Sequence, residues 1–230
     1  MRIVISGNIG CGKTTQIKRL QEYFATEDNI KIIPEGVQEW IDEGWLQKYY
    51  DDPKTWALPF QYRVLASQTD VPDMEDGLII IERSPHTTQH IFSKQLTEDG
   101  IITPEGFQGI VQHNINNSWN PDAFIYVRVS PEICFERMKL RNRNAESMIS
   151  LDYLKKLHDR HEVLHLENEA NLCPSFIIDG SKSIDEVTAQ LMKAIFNISI
   201  ENSKMNCTVK YKEKVLNTIG VGMELEPGLT

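Results

Sequence analysis

Five short runs rich in Ile, Val, Leu and Phe punctuate the chain, at residues 2–6 (RIVIS), 31–34 (KIIP), 78–82 (LIIIE), 123–129 (AFIYVRV) and 175–178 (SFII). Near-continuous β-branched runs of this length suit strands covered on both faces, as in a parallel sheet. The segments between them are long enough for helical crossovers. Helices are predicted at about 13–26, 37–49, 54–70, 84–96, 104–117, 131–141, 151–168 and 184–197. The stretch 151–168 has the clearest spacing, with Leu151, Leu154, Leu157, His161 and Leu164 on one stripe and Asp152, Lys155, Lys156 and Asp159 facing away. Strand and helix in alternation predict an α/β fold, a five-stranded parallel sheet flanked by helices on both faces, forming one domain over residues 1–199. From residue 200 the character changes to a polar stretch, then TVKYKEKV with rough period-two alternation, then GVGMELEPGLT. Residues 200–230 read as a C-terminal tail of unknown role, either a hairpin on the domain or a loosely packed segment.

Composition narrows the partners. The 230 residues are 40% hydrophobic and 25% charged, enough to bury a proper core. Lys and Arg number 24 against 33 Asp and Glu, a net charge of −9 that argues against general affinity for nucleic acid or anionic membranes. Charges interrupt every apolar run well short of a membrane span. The expected partner is therefore a small molecule. Cys11, Cys134, Cys173 and Cys207 are scattered, without the spacing of a zinc site or the density of a disulfide scaffold, so reduced thiols are expected. Met1 leads directly into the first strand, which predicts no cleavable leader and a cytoplasmic protein. The sequons at Asn116, Asn197 and Asn206 then carry no glycan meaning.

The first strand runs into Gly7-Asn8-Ile9-Gly10-Cys11-Gly12-Lys13-Thr14, a full match to GxxxxGK[ST], followed by Thr15 and a helix with Ile17, Leu20 and Phe24 on one side. Strand, spacing and helix are all in register, which identifies a phosphate-binding loop (P-loop). Its glycines let consecutive N–H groups turn toward phosphate oxygens, Lys13 neutralises the β/γ charge, and the Thr14 hydroxyl can ligate Mg²⁺. This implies a nucleoside triphosphate, not a particular reaction. A switch GTPase would need DxxG and NKxD motifs, and neither occurs.

Other candidates fall at strand ends. The strand 78–82 ends in Glu82-Arg83, at the carboxyl edge where α/β sheets bind ligands; Glu82 can hold a metal or its waters, with Arg83 beside a transferring phosphoryl group. The second strand ends at Glu35, which either accepts a proton from an attacking hydroxyl or is a surface residue opening the next helix. Arg137, Arg141 and Arg143 cluster at the end of a helix, either closing over a triphosphate or complementing the helix dipole. Trp40, Trp45, Tyr49, Tyr50, Trp56, Phe60 and Tyr62 form an aromatic-rich region, readable as core or as a stacking pocket for a flat ring. Gln61 among them presents a donor and an acceptor side by side, the pattern that pairs with a pyrimidine edge.

Assembled, these residues resemble the deoxynucleoside kinase family: the deoxycytidine, deoxyguanosine and mitochondrial-type thymidine kinases and the insect-type broad-specificity enzyme. The resemblance runs through most of residues 1–197. It rests on GNIGCGKTT at 7–15, PE at 34–35 with Trp40 behind it, FQ at 60–61, ERS at 82–84, and RNRNAE at 141–146 followed by LDYLKKLHDRHE at 151–162. It implies a P-loop kinase that uses ATP and Mg²⁺ to phosphorylate the 5′-hydroxyl of deoxynucleosides. By the same likeness Glu35 is the base with Glu82 at Mg²⁺, although Glu82 is also assigned as base in such enzymes. Arg83 touches the 5′-oxygen and the phosphate, Tyr50 and Glu146 bond the sugar 3′-hydroxyl, Gln61 reads the base, and Trp40, Phe60 and Phe92 wall the ring. Arg137, Arg141 and Arg143 fall in the lid over ATP. Where deoxycytidine kinases carry an arginine and an aspartate near the base, this chain holds Gln68 and Thr88, which implies room for thymidine beside deoxycytidine. Ala145 replaces an acidic lid residue. The likeness also implies a homodimer packed through helices such as 54–70 and 84–96.

Overall fold

In the computed structural model the described residues are 1–201 apart from 73, 75, 76, 142–145, 147, 168, 169 and 171. The chain runs β1 (Arg2–Ser6), α1 (Lys13–Tyr23), β2 (Ile30–Ile33), α2 (Val37–Asp42), α3 (Trp45–Asp51), α4 (Pro53–Thr69), β3 (Leu78–Glu82) and α5 (Pro85–Thr87). A π-helical turn at Thr88–Ser93 follows, then α6 (Lys94–Glu98), α7 (Pro104–Asn117), β4 (Ala123–Arg128), α8 (Pro131–Arg141), α9 (Leu151–His165), β5 (Ser175–Asp179) and α10 (Ile184–Glu201). The five strands form one sheet in the order β2-β3-β1-β4-β5, every described pair parallel. The predicted α/β architecture is thus the observed one.

The sheet buries its apolar runs completely at the centre: Ile3, Val4 and Ile5 of β1, Leu78 and Ile80 of β3 and Ile125 of β4 have no exposure. Ile17 and Leu20 of α1 and Leu191, Ile195 and Ile198 of α10 pack into the same core. On α9, Leu154, Leu157, His161 and Leu164 are buried, as the spacing requires, and Leu151 at the start is half-buried. A second core joins Trp40, Leu46, Tyr49, Phe60, Val64 and Leu65 under α2–α4.

Two predicted helices differ. The single helix expected at 37–49 is two short helices, because Gly44 sits at φ +74 and turns the chain between α2 and α3. The helix expected at 84–96 begins with Ser84 accepting from Thr87 N and widens into the π-helical turn before resuming as α6. A π turn holds an extra residue, so its face advances differently from a 3.6-residue period. The 202–230 part of the tail and Cys207 lie outside the described residues. No helix among the described residues is long and apolar enough to cross a membrane.

Candidate active site

In a sheet of this order β1 is central: the connection leaving it runs to β2 on one side while that leaving its neighbour β4 runs to β5 on the other, so a crevice opens at the carboxyl end of β1, where the end of β3 also lies. Ile5 pairs with Glu82 there, which sets the last residue of β3 beside the start of the P-loop. The loop backbone demands its glycines. Gly10 lies at φ +82, and a Cβ on it would come 2.3 Å from the carbonyl oxygen of Cys134; a Cβ on Gly7, at φ +153, would come 2.8 Å from that of Val127. Asn8 ties the loop to α9, donating from Nδ2 to Leu154 O at 2.8 Å and accepting from Ile9 N at 2.9 Å. Lys13 is buried and donates from Nζ to the Gly7 and Asn8 carbonyls at 2.8 and 2.9 Å.

Carboxylates face this loop. The Thr14 hydroxyl donates to Glu82 Oε1 at 3.0 Å, and Glu35 N lies 3.5 Å from Glu82 Oε2. Glu35 Oε1 pairs with Arg83 Nε at 3.3 Å, both side chains largely buried, without the angle of a hydrogen bond. Arg83 holds a left-handed backbone at φ +67, uncommon for a residue with a Cβ and a mark of functional sites. Its guanidinium lies 4.3 Å over the Phe92 ring. Glu35 therefore converges with the adjacent Glu82 and Arg83, although Glu35 and Glu82 are 47 positions apart along the chain.

Beyond them lies a cavity, partly open to solvent, whose wall mixes aromatic and apolar side chains with a few convergent polar and charged groups, the composition of a small-molecule site. Trp40, Tyr50, Phe60, Gln61, Thr88, Phe92, Arg141 and Glu146 all line it, together with Ile9, Gly10, Lys13, Thr14, Glu35, Glu82 and Arg83. The Trp40 ring meets Phe60 edge-on at 5.7 Å, and Tyr49 stacks on Phe60 at 5.3 Å. Burial raises the Tyr50 hydroxyl far above its ordinary value, helped by the negative charge of Glu146, so Tyr50 remains a neutral donor. Arg141 Nη2 donates to Glu146 Oε2 at 2.5 Å. Two neutral pairs join wall residues to buried partners behind them: Ser93 Oγ donates to Gln61 Oε1 at 3.1 Å, and Thr88 Oγ1 donates to Gln68 Oε1 at 2.8 Å.

On the other side of the P-loop, a groove is lined by Gly10, Cys11, Gly12, Lys13, Thr14, Thr15, Arg137 and Arg141, and continues along Gly180, Lys182, Ile184 and Val187. Arg137 is a brace here, its Nη1 donating to Cys11 O at 3.2 Å and Gly180 O at 2.9 Å. Arg143 and Ala145 lie outside the described residues. Sequence reasoning misses the 180–187 segment, although the rule that picks out Glu35 and Glu82 also places the turn after β5 at the carboxyl edge. It also passes over Val37, Leu46 and Val64 in the cavity wall, which carry no motif, assigns no site role to Tyr153 although it lies in the LDYLKKLHDRHE block, and takes Tyr49 only as one of the aromatic cluster.

Comparison with known proteins agrees with this geometry. The deoxynucleoside kinase family model matches residues 3–201. The putative kinase protein 143R of Invertebrate iridescent virus 6 is 35% identical over 201 residues, covering 85% of this chain and 96% of that one. The mitochondrial thymidine kinase 2 of Homo sapiens is 30% identical, covering 70% and 62%, and the deoxycytidine kinase of Bos taurus is 28% identical, covering 74% and 78%. Because the match runs from β1 through α10 and so takes in both the P-loop and the aromatic cavity, the chain belongs to the deoxynucleoside kinase family and is a nucleoside-phosphorylating enzyme.

Proposed function

We propose that this enzyme transfers the γ-phosphoryl group of ATP, with Mg²⁺, to the 5′-hydroxyl of deoxynucleosides and favours thymidine and deoxycytidine. The carrying observation is that groove and cavity share Gly10, Lys13, Thr14 and Arg141, so donor and acceptor meet over Lys13. The Thr14 hydroxyl and Glu82 carboxylate, 3.0 Å apart, are hard oxygen donors that fit Mg²⁺, which when bound neutralises charge on the donor's phosphates. Glu35, positioned by Arg83, accepts the proton of the acceptor hydroxyl, whose oxygen attacks in line. Lys13, Arg83 and Arg141 bring positive charge to the transferring group. Arg137 holds the P-loop against the turn after β5, and Arg143, two residues beyond Arg141, belongs with it to the arginines proposed to close over ATP.

Substrate choice follows from the cavity. Tyr50 and Glu146 meet the 3′-hydroxyl, while Trp40, Phe60 and Phe92 sandwich the base whose edge Gln61 reads. The Gln68–Thr88 pair is uncharged, so cytosine finds no dedicated acidic acceptor and thymine is not repelled. An acceptor already phosphorylated fits less well. Among the described residues the cations lining the cavity are Lys13, Arg83 and Arg141, all three assigned to the transferring group, and Arg63 on α4 is tied to Glu43 and Glu39. A homodimer in the cytoplasm completes the proposal. Its contact is proposed through α4 and the α5–α6 segment, of which α4 exposes more surface.

The test is label transfer from γ-labelled ATP to thymidine, deoxycytidine, deoxyadenosine, deoxyguanosine and thymidine monophosphate in parallel. Label on the two pyrimidine nucleosides is expected. Label on the monophosphate alone would overturn the acceptor assignment, and no label would indicate a silent nucleotide-binding protein.

A further inference from the structure

Ser93 has no sequence motif and no exposure, yet its hydroxyl lies 3.1 Å from the amide of Gln61, itself buried on α4. The π-helical turn that ends at Ser93 also supplies Thr88 and Phe92 to the cavity wall. Thymine offers a ring N–H donor beside a carbonyl acceptor, whereas cytosine offers a ring nitrogen acceptor beside an amino donor. For one amide to pair with both, it must turn over, exchanging its oxygen and its NH₂ at the end that meets residue 93. A fixed donor or a fixed acceptor there would support one orientation and strand a buried polar atom in the other. A serine hydroxyl supports either, since it donates to the oxygen or accepts from the NH₂ after rotating its own hydrogen.

We propose that Ser93 is a specificity-determining positioning residue, whose adaptable hydroxyl keeps both orientations of the Gln61 amide supported and so sets the breadth of base acceptance. The inference rests on the reading of Gln61 as facing a pyrimidine edge. Ser93 works through Gln61 and takes no part in phosphoryl transfer.

The experiment measures kcat and KM for thymidine and deoxycytidine, and KM for ATP, in the wild type, Ser93→Ala and Ser93→Thr, with Tm recorded for each. In Ser93→Ala, the substrate that needs NH₂ at this end leaves an N–H orphaned. The other leaves only a second lone pair of a carbonyl, which is the cheaper loss. The thymidine to deoxycytidine ratio of kcat/KM should therefore change by roughly 5- to 30-fold, mostly through the nucleoside KM, with KM for ATP unchanged. Ser93→Thr, which keeps the hydroxyl, should return the ratio toward wild type. A folded Ser93→Ala enzyme with an unchanged ratio overturns the role of Ser93 while leaving pyrimidine recognition intact. A wild type inactive on both pyrimidines removes the reading of Gln61 and this inference with it.

Discussion

His165, at the end of α9, is buried beneath the start of the P-loop, with Nε2 2.8 Å from the hydroxyl of Ser6 and Nδ1 3.1 Å from that of Ser175. The Tyr126 ring stacks on it at 4.8 Å and Phe124 meets it edge-on at 5.0 Å. Burial pulls its pKa from 6.5 down to about 3, because the charged imidazolium has no water there. The unfolded chain therefore binds this proton at pH values where the native chain does not. The resulting stability is fully present above pH 6.5 and is lost as pH falls toward 3. Between pH 7.5 and 5.5 the loss works out at about 1.4 kcal/mol, which for a chain of this length is a fall in Tm of about 3 to 6 °C. His161, with its ring centre 6.1 Å away, is displaced in the same direction by burial and then by His165, so it adds to the wild-type slope. His165→Gln keeps polar atoms for the two serines and removes the titration. Thermal denaturation at both pH values should show the variant losing about 3 to 6 °C less than the wild type, whatever its absolute Tm. Equal losses in the two proteins would refute a neutral buried His165.

Glu35→Gln should lower kcat by ~10²-fold or more, the scale of a general base, with ATP affinity retained by equilibrium binding; near-native turnover would move the base to Glu82. Tyr50→Phe should cost about tenfold in kcat/KM for a deoxynucleoside, the worth of one hydrogen bond, and almost nothing for its 3′-deoxy analogue. Equal losses on both would detach Tyr50 from the sugar. Gly10→Ala puts a Cβ 2.3 Å from the Cys134 carbonyl oxygen at φ +82. Tm should fall by several degrees, from strain of about 1–3 kcal/mol, and ATP binding should be lost in titration calorimetry.

The five strands and the P-loop were legible because each is written in contiguous residues: an apolar run long enough to be buried on both faces, and a motif whose glycines encode a backbone path. Glu35 and Glu82 were legible one step further on, since parallel strands bring their carboxyl ends to one edge. The break at Gly44 carried a local signal, but whether that glycine ends a helix depends on how α2 and α3 pack around Trp40 and Leu46. The π turn was hidden because one extra residue in a turn is decided by the contacts on its face, not by the 3.6-residue spacing of apolar positions. Tertiary structure alone brought Ser93 to Gln61 and Thr88 to Gln68 across two helical segments, and set Arg137 between the carbonyls of Cys11 and Gly180. Sequence determined which backbone could form and which chemistry it carried. Packing decided which side chains meet, because a hydrogen bond between distant elements depends on distances that only the assembled core sets.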